Sequence, residues 1–479
     1  MALEEKILSI SDPTINIDEM AIDDYEKNLV GKETDSKKLG ALYPFVQING
    51  YKFDENEIVR LTLDVTDFYP TISVTVASAN GVFISTSYPK DGDPVSLFIR
   101  SKIEEFKPIR LDFEITYVNS APSTDSSGEK IAFTINGIIR IPNLHTEVCK
   151  AFRNLSSYDT LAKVAKDLKL GFASNETETV DKMNWICPFD SYKNFIQDTT
   201  EAAYKNDSSF YTSFIDHYYH LNFVNLNNQF AENFNIDDAI ASLSNLKDYG
   251  KDQKNKTANT PMILSNMDNV KGSSMFIDKY TLLNNTGLIG INNGYRRYLQ
   301  FYDDSLIEDT DPKNKYKSFA IEAMTTKGSE NKHPGKGRTI DGKDEGIYST
   351  HNKYKWLGVQ YGDKKVKNVH DNYHYAKILN WQNKIELDKM VFHAVLPQAN
   401  FNLYRGQRVP VVIINSGDTL RKQVTKDSED NAKRPISMTY DTFLSGYYVV
   451  KGMKYTYDSD EIIFRQEVFL TRREWPIVV

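Results

Sequence analysis

Between Tyr43 and Pro142 the chain passes through six short runs, "FVQINGYKF", "IVRLTLDV", "TISVTVA", "PVSLFIR", "IRLDFEITYV" and "IAFTINGIIRI", in which apolar residues tend to fall on alternate positions. That period belongs to an extended chain with one buried face, because successive side chains of a strand point to opposite sides. In "IRLDFEITYV" the residues Leu111, Phe113, Ile115 and Tyr117 share one face, and Arg110, Asp112, Glu114 and Thr116 the other. Asn49-Gly50, Asn80-Gly81 and Asp91-Gly92 punctuate the series as turn dipeptides. Six strands in so short a span predict an antiparallel barrel or sandwich. Four more strands follow far downstream, "MVFHAVL", "RVPVVIIN", "GYYVVKGMKYTY" and "EIIFRQEVFLTR", the last two turned around Asp458-Ser459-Asp460.

The period changes between these two regions. In "SSYDTLAKVAKDLKLGF" the stripe Leu161, Val164, Ala165 and Leu168 predicts a helix capped by Ser157 and ended by Gly171. A second helix is expected at about 191–205, with Asp190 as its cap, and then "SFYTSFIDHYYHLNFVNLN" as a hairpin. A third is expected at about 370–388, where Tyr373, Ala376, Ile378, Leu379 and Trp381 make an apolar side. The expected division is an extended acidic arm over 1–42, a first β-barrel over 43–145 and an α+β unit over 146–232. A linker over 233–261 and the first strands of a second barrel over 262–290 follow. An insertion with a polar loop over 291–369, then a helix and the rest of the second barrel over 370–479, complete the chain.

Composition narrows the function classes. An apolar fraction of 40% and a charged fraction of 26% suit a soluble globular protein, and 29 Tyr and 25 Phe against 4 Trp favour strands. The net charge of -7 gives no long-range pull towards nucleic acid or an anionic membrane. No run approaches the eighteen or so apolar residues of a bilayer span, and "MALEEKILSISDP" lacks the pattern of a secretory leader. Stable membrane insertion is therefore not expected. Cys149 and Cys187 have no metal-ligand spacing and are read as two buried or idle thiols.

The chemical motifs are thin. His370 and His374 stand four apart, a spacing that suits zinc on one helix face. The Glu that follows the first His of the metalloprotease pattern is missing, so helix-surface histidines are expected. In "DHYYH", Asp216, His217 and His220 lie in or beside a hairpin turn; a continuous strand would put the two histidines on opposite faces, so a structural role is expected. "HPGKGRT" lacks the first glycine of a phosphate loop, leaving Lys332, Lys336 and Arg338 on a solvated segment. Asp91 and Asp93 read as turn formers. No G-x-S-x-G elbow is present. No catalytic, cofactor-binding or metal residue is assigned, and the expected role is not enzymatic.

The two β regions follow a similar order. "KDGDPVSLFIR" parallels "YRGQRVPVVIIN", and "FTINGIIRI" parallels "YYVVKGMKY". Two further strands from 262–290 would complete a second, discontinuous barrel. Three copies of a chain with two such barrels would place six around one axis, joining sixfold to threefold symmetry. "SSYDTLAKVAKDLKLGF" with "NWICPFDSYKNFI", then "ANFNLYRGQRVPVVIIN", and the closing "SGYYVVKGMKYTY" and "FRQEVFLTR" carry a resemblance to a family. The chain resembles the central baseplate hub protein of contractile-tailed bacteriophages, a family related to the hub portion of type VI secretion spike proteins. The acidic arm and the polar stretch near 303–350 lie outside that family's pattern.

The resemblance implies a β-rich α+β fold of two tube-type antiparallel barrels with α+β insertions, assembled as a homotrimer around a channel. It implies a tail tube protein on one side, a central spike protein on the other, and DNA only as passing cargo. The arm would reach other baseplate proteins, and the particle would be a virion component assembled in the host cytoplasm. Gly406 would supply the backbone freedom of the turn that launches a barrel strand. With no lysozyme-like or peptidase-like module after Val479, wall cleavage would fall to another chain. The alternatives are the hub of a non-contractile tail tip or of a bacterial contractile injection system, and, in a different class, a cell-envelope-acting hydrolase or sugar-binding β protein.

Overall fold

The computed structural model describes residues 44–472 except 79–80, 100–107, 126–127, 231–261, 265–274, 286–295, 304–315, 323–338, 341–342, 345–351, 357–368, 398, 415–440, 442 and 460–462. The expected arm, the linker and the segment with Lys332, Lys336 and Arg338 lie outside the described residues. The first β region holds β1 (Phe45–Ile48), β2 (Tyr51–Lys52), β3 (Ile58–Asp64), β4 (Thr71–Ser78), β5 (Pro94–Ile99), β6 (Ile109–Asp125) and β7 (Gly128–Ile139). A short helix α1 (Gly81–Thr86) stands where the Asn80-Gly81 turn was expected. The middle holds β8 (Glu147–Leu155), α2 (Ser157–Asp167), β9 (Gly171–Ser174), β10 (Met183–Ser191), α3 (Tyr192–Glu201), β11 (Tyr211–Ile215) and β12 (His220–Asn225).

Then come β13 (Met262–Leu264), β14 (Lys279–Asn284), β15 (Arg296–Asp303), β16 (Tyr316–Glu322), β17 (Thr339–Ile340), β18 (Lys343–Asp344) and β19 (Asn352–Trp356). The last part comprises α4 (Tyr373–Asp388), β20 (Met390–Leu396), β21 (Arg408–Ile413), β22 (Gly446–Asp458) and β23 (Ile463–Thr471). The fold is β-rich α+β, as expected. No helix among the described residues is long and apolar enough to cross a membrane.

One sheet of 13 strands joins the two ends of the chain in the order β14-β20-β23-β22-β3-β4-β7-β6-β5-β1-β2, with β21 also on β22 and β13 on β21. It contains the same six-strand path twice: β3-β4-β7-β6-β5-β1 and β14-β20-β23-β22-β21-β13. Up to the last strand of each path the registers correspond, apart from a shift between Ile58 and Arg60 that β14 lacks. Leu97 of β5 faces Leu111 of β6, and Val411 of β21 faces Gly446 of β22. A bulge breaks β6 against β7 between Ile115 and Tyr117, and a bulge breaks β22 against β23 between Val450 and Gly452. The turns before β5 and β21 match as well. Gly92 (φ +82°) donates its N–H to the Ile115 carbonyl, and Gly406 (φ +81°) to the Val450 carbonyl, each at 2.8 Å. Both glycines adopt the left-handed region where a side chain is disfavoured.

The expected match of "FTINGIIRI" with "YYVVKGMKY" is corrected by this topology. β22 corresponds to β6, and β7 to β23. Gly137 and Gly452 sit beside equivalent bulges, but on opposite strands of the pair. The units also differ at the last strand, since β1 runs antiparallel to β5 whereas β13 runs parallel to β21.

The alternating faces fill the interior. Leu61, Leu63, Val74, Val95, Leu97, Leu111 and Phe113 are fully or almost fully buried in one cluster. Tyr455, Tyr457 and Phe464, from the C-terminal hairpin, belong to that same cluster, whereas Phe392, Val411, Tyr448, Val468 and Leu470 form a second.

The α+β unit packs β9, β12 and β11 as one small sheet and β8 with β10 as another. Its helix ends differ from expectation. Ser156 caps α2, accepting from the Asp159 N–H at 3.1 Å, and Lys169 (φ +57°) follows the helix end while Gly171 opens β9. Ser191 caps α3 in place of Asp190. The side chain of Asn380 in α4 donates to the carbonyls of Glu201 (2.8 Å) and Ala203 (3.1 Å) at the end of α3, and accepts from the Tyr211 N–H (3.0 Å). Carbonyls at a helix end have no intrahelical donor, so this one amide fixes α4 to α3 and β11.

Candidate functional site

Several long-range interactions gather on the seam where the two six-strand units and the α+β unit meet. The C-terminal half of β22 pairs with β3, Lys454 facing Asp64 and Asp458 facing Arg60. The Val65 N–H donates to the Met453 carbonyl (2.8 Å), the Ser459 N–H to the Val59 carbonyl (3.0 Å), and Lys454 Nζ lies 2.8 Å from Asp64 Oδ2. Gly452 sits directly against Thr66, and a Cβ there would stand 2.7 Å from the Thr66 Cα. The turn carrying Gly406 docks beside them: the Arg405 guanidinium lies over the Phe214 ring (4.6 Å) and donates to the Asp67 carbonyl.

The β11–β12 turn completes the seam. The Ile215 N–H donates to the Phe68 carbonyl (2.7 Å), and the Asp112 N–H of β6 donates to the Tyr219 hydroxyl (2.8 Å). Within the turn, Asp216 accepts from the N–H groups of Tyr218 (2.8 Å) and His220 (3.0 Å) and from Asn222 Nδ2 (2.9 Å), with His220 Nδ1 3.4 Å away. Burial alone would raise the Asp216 carboxyl, but the hydrogen bonds and charge of His220, together with His217 and Asn222, hold it down at about 2. The segment lies in and beside the hairpin turn, as expected. His217 lies in the turn and His220 opens β12, both buried.

A carboxyl lowered from 3.8 to about 2 in the folded state contributes stability that is present above pH 4 and lost as pH falls towards 2. The contribution is about 2 kcal/mol. Asp216→Asn is therefore expected to flatten the acid limb of the stability curve between pH 4 and 2, as read by denaturant unfolding at a series of pH values. An unchanged acid limb would refute this role.

The other candidates fall apart as sites. His370 precedes α4 instead of lying on its surface. It is buried between Trp185 and Tyr204, with Nε2 2.9 Å from the Ala202 carbonyl. Local sequence does not display that long-range contact. Asp93 accepts from the Lys90 N–H (2.8 Å) and from Asn49 Nδ2 (2.6 Å), so it ties two turns together. Cys149 and Cys187 are free thiols, and burial pushes the Cys187 thiol up. No cluster of three or more His, Cys, Asp or Glu placed to hold a metal occurs among the described residues. A cleft of about 350 Å³ beside α3 is lined by Asp190, Asp198, Glu201 and Lys384, with amides and hydroxyls between them.

No known family's sequence profile matches the chain, and no curated protein matches it by sequence. Among solved structures, the chain is similar to the tail protein from Neisseria meningitidis MC58, with 10% identity, a TM-score of 0.46, and coverage of 90% of this chain and 97% of that one. It is also similar to the prophage MuSo2 43 kDa tail protein from Shewanella oneidensis, with 7% identity, a TM-score of 0.47, and coverage of 90% and 98%. A third is the E. coli c3393 protein, a component of the type VI secretion system, with 6% identity, a TM-score of 0.39, and coverage of 89% and 76%. The chain is thus similar, across most of its length, to proteins of phage tails and of a type VI secretion system.

Proposed function

We propose that the chain is a non-enzymatic structural component of a phage-type tail, the hub at its baseplate. Three copies ring an axis, so that six barrel units meet the sixfold tail tube on one face while the threefold arrangement meets the spike on the other. The genome passes through the channel they surround. The observation that supports this reading is the repeated strand path β3-β4-β7-β6-β5-β1 and β14-β20-β23-β22-β21-β13, held in one sheet. A chain that carries the same unit twice, in matching register, supplies two near-equivalent positions per copy, which is what a trimer needs in order to imitate a hexamer. The acidic arm over 1–42 serves contacts with other baseplate proteins. The same geometry would serve a non-contractile tail tip or a contractile injection system.

The test is light scattering on the full chain, followed by images of the particle down its axis. A mass three times 54.9 kDa and six lobes of similar density in a threefold ring are expected. A ring closing with another number, or a stable monomer that cleaves glycan or peptide, would reject the hub.

A further inference from the structure

Inside the chain, one unit is joined to the next by β3, which borders β22 where β21 ends: β21 pairs with Gly446–Val449 and β3 with Lys454–Asp458. β6 has the same build. β5 borders its first half, from Ile109 to Glu114, and among the described strands nothing borders the outer edge of the remainder. The counterpart of β3 is β14. Leu63 faces Ile72, which faces Gly137, and in the same way Leu282 faces Phe392, which faces Leu470. β14 ends the sheet path, and no described strand pairs with its outer edge. The two unfilled edges are therefore the two halves of a junction that the chain makes once within itself.

We propose that β14 of one copy pairs antiparallel with the C-terminal half of β6 of the next copy. The internal junction sets the register. Transferring Lys454 facing Asp64 through Asp458 facing Arg60 puts Asn119 opposite Leu283, Ser120 opposite Leu282, Ala121 opposite Thr281, Pro122 opposite Tyr280 and Ser123 opposite Lys279. Backbone directions agree with this pairing. The bonds of Met453 and Ser459 to β3 show which residues of β22 turn to that side, and their counterparts on β6 include Val118, Ser120 and Pro122. The Asn285 N–H donates to the Lys389 carbonyl on the β20 side, so by alternation Tyr280 and Leu282 turn outward. Ser120 and Leu282 then exchange two bonds. Pro122 has no N–H and accepts from Tyr280 only, a place in an antiparallel ladder that tolerates proline at the loss of one bond.

Burial points the same way. Leu61 and Leu63 of β3 are fully buried, while Tyr280, which takes the place of Leu61, is 39% exposed and its neighbour Leu283 is 43% exposed. Tyr117 on the β6 edge is 52% exposed. Large apolar side chains along an unpaired strand edge favour pairing with another chain. The contact is head to tail, using a different surface on each copy, and such contacts propagate until a rotation closes them. The number three rests on the hub reading, whereas the pairing rests on the repeat alone.

Cysteines at Ala121 and Thr281 test it, since directly opposed residues of an antiparallel pair come within disulfide reach. The full chain would carry Ala121→Cys and Thr281→Cys in a Cys149→Ser background, because Cys149 is exposed. Mild oxidation is expected to give covalent dimers and trimers on a non-reducing gel, with several-fold less product from the shifted pair Ala121→Cys and Leu283→Cys. A particle of trimer mass that does not cross-link, that cross-links equally in the shifted register, or that forms the bond within one chain would overturn the pairing and leave the hub standing. Cross-linked ladders running past three copies would support the pairing and overturn threefold closure.

Discussion

Tyr455→Ala is expected to destabilise the protein by about 3–5 kcal/mol, in the range of a large buried aromatic cut to a methyl group. Tyr455 lies on β22, opposite Leu63 of β3, and is fully buried. Its ring centroid stands 5.7 Å from Phe401, 5.9 Å from His217 and 6.3 Å from Phe464. Those neighbours belong to the turn before β21, the β11–β12 turn and β23, so one ring fills the space between both six-strand units and the α+β unit. The loss should appear as a lower denaturant midpoint, with the two β units ceasing to unfold in one transition. Tyr455→Phe keeps the ring and is expected to keep the single transition. A Tyr455→Ala variant that unfolds at the wild-type midpoint would show that the units hold together without this core.

Gly452→Val is expected to open the same seam from the backbone side. A Cβ at 452 would lie 2.7 Å from the Thr66 Cα and 3.0 Å from the Thr66 Cβ, and the first of these is main chain that has no rotamer to change. Overpacking against fixed atoms costs about 1–3 kcal/mol, and the two valine methyls place this change at the upper end. Amide exchange should report it locally, with the Val65 N–H losing the protection that its bond to the Met453 carbonyl provides. Gly406→Ala is the comparison, since a Cβ there meets Val224 at an ordinary 3.6 Å and only the positive φ is disfavoured, at about 1 kcal/mol. Equal effects of the two variants would reject the close approach as the reason for Gly452.

The strands were legible because their burial is one-sided. β4 and β22 bury alternate residues, and the alternation shows in the letters. β8 was not legible, for only Phe152 of its nine residues is buried, and an exposed strand leaves no apolar period in "EVCKAFRNL". Caps slipped by one residue where two adjacent serines, Ser156 and Ser157, offered the same chemistry. The repeat was legible where a glycine does the same job in both units, as Gly92 and Gly406 do before β5 and β21. It was misread where glycine lies on opposite sides of an equivalent bulge, because position along the chain does not reveal which strand of a pair carries the irregularity. His370 was misread because its burial depends on Ala202, 168 residues away.

β13 and β1 hold matching places in the repeat but run in opposite senses against their neighbours. In the threefold ring proposed above, this place in the unit would therefore be filled by two kinds of strand in strict alternation. A docking partner with six identical arms must ignore these strands, and one with three arms can tell them apart. The small reversal of β13 would then act as the mark by which a symmetric-looking ring keeps its orientation towards unlike neighbours.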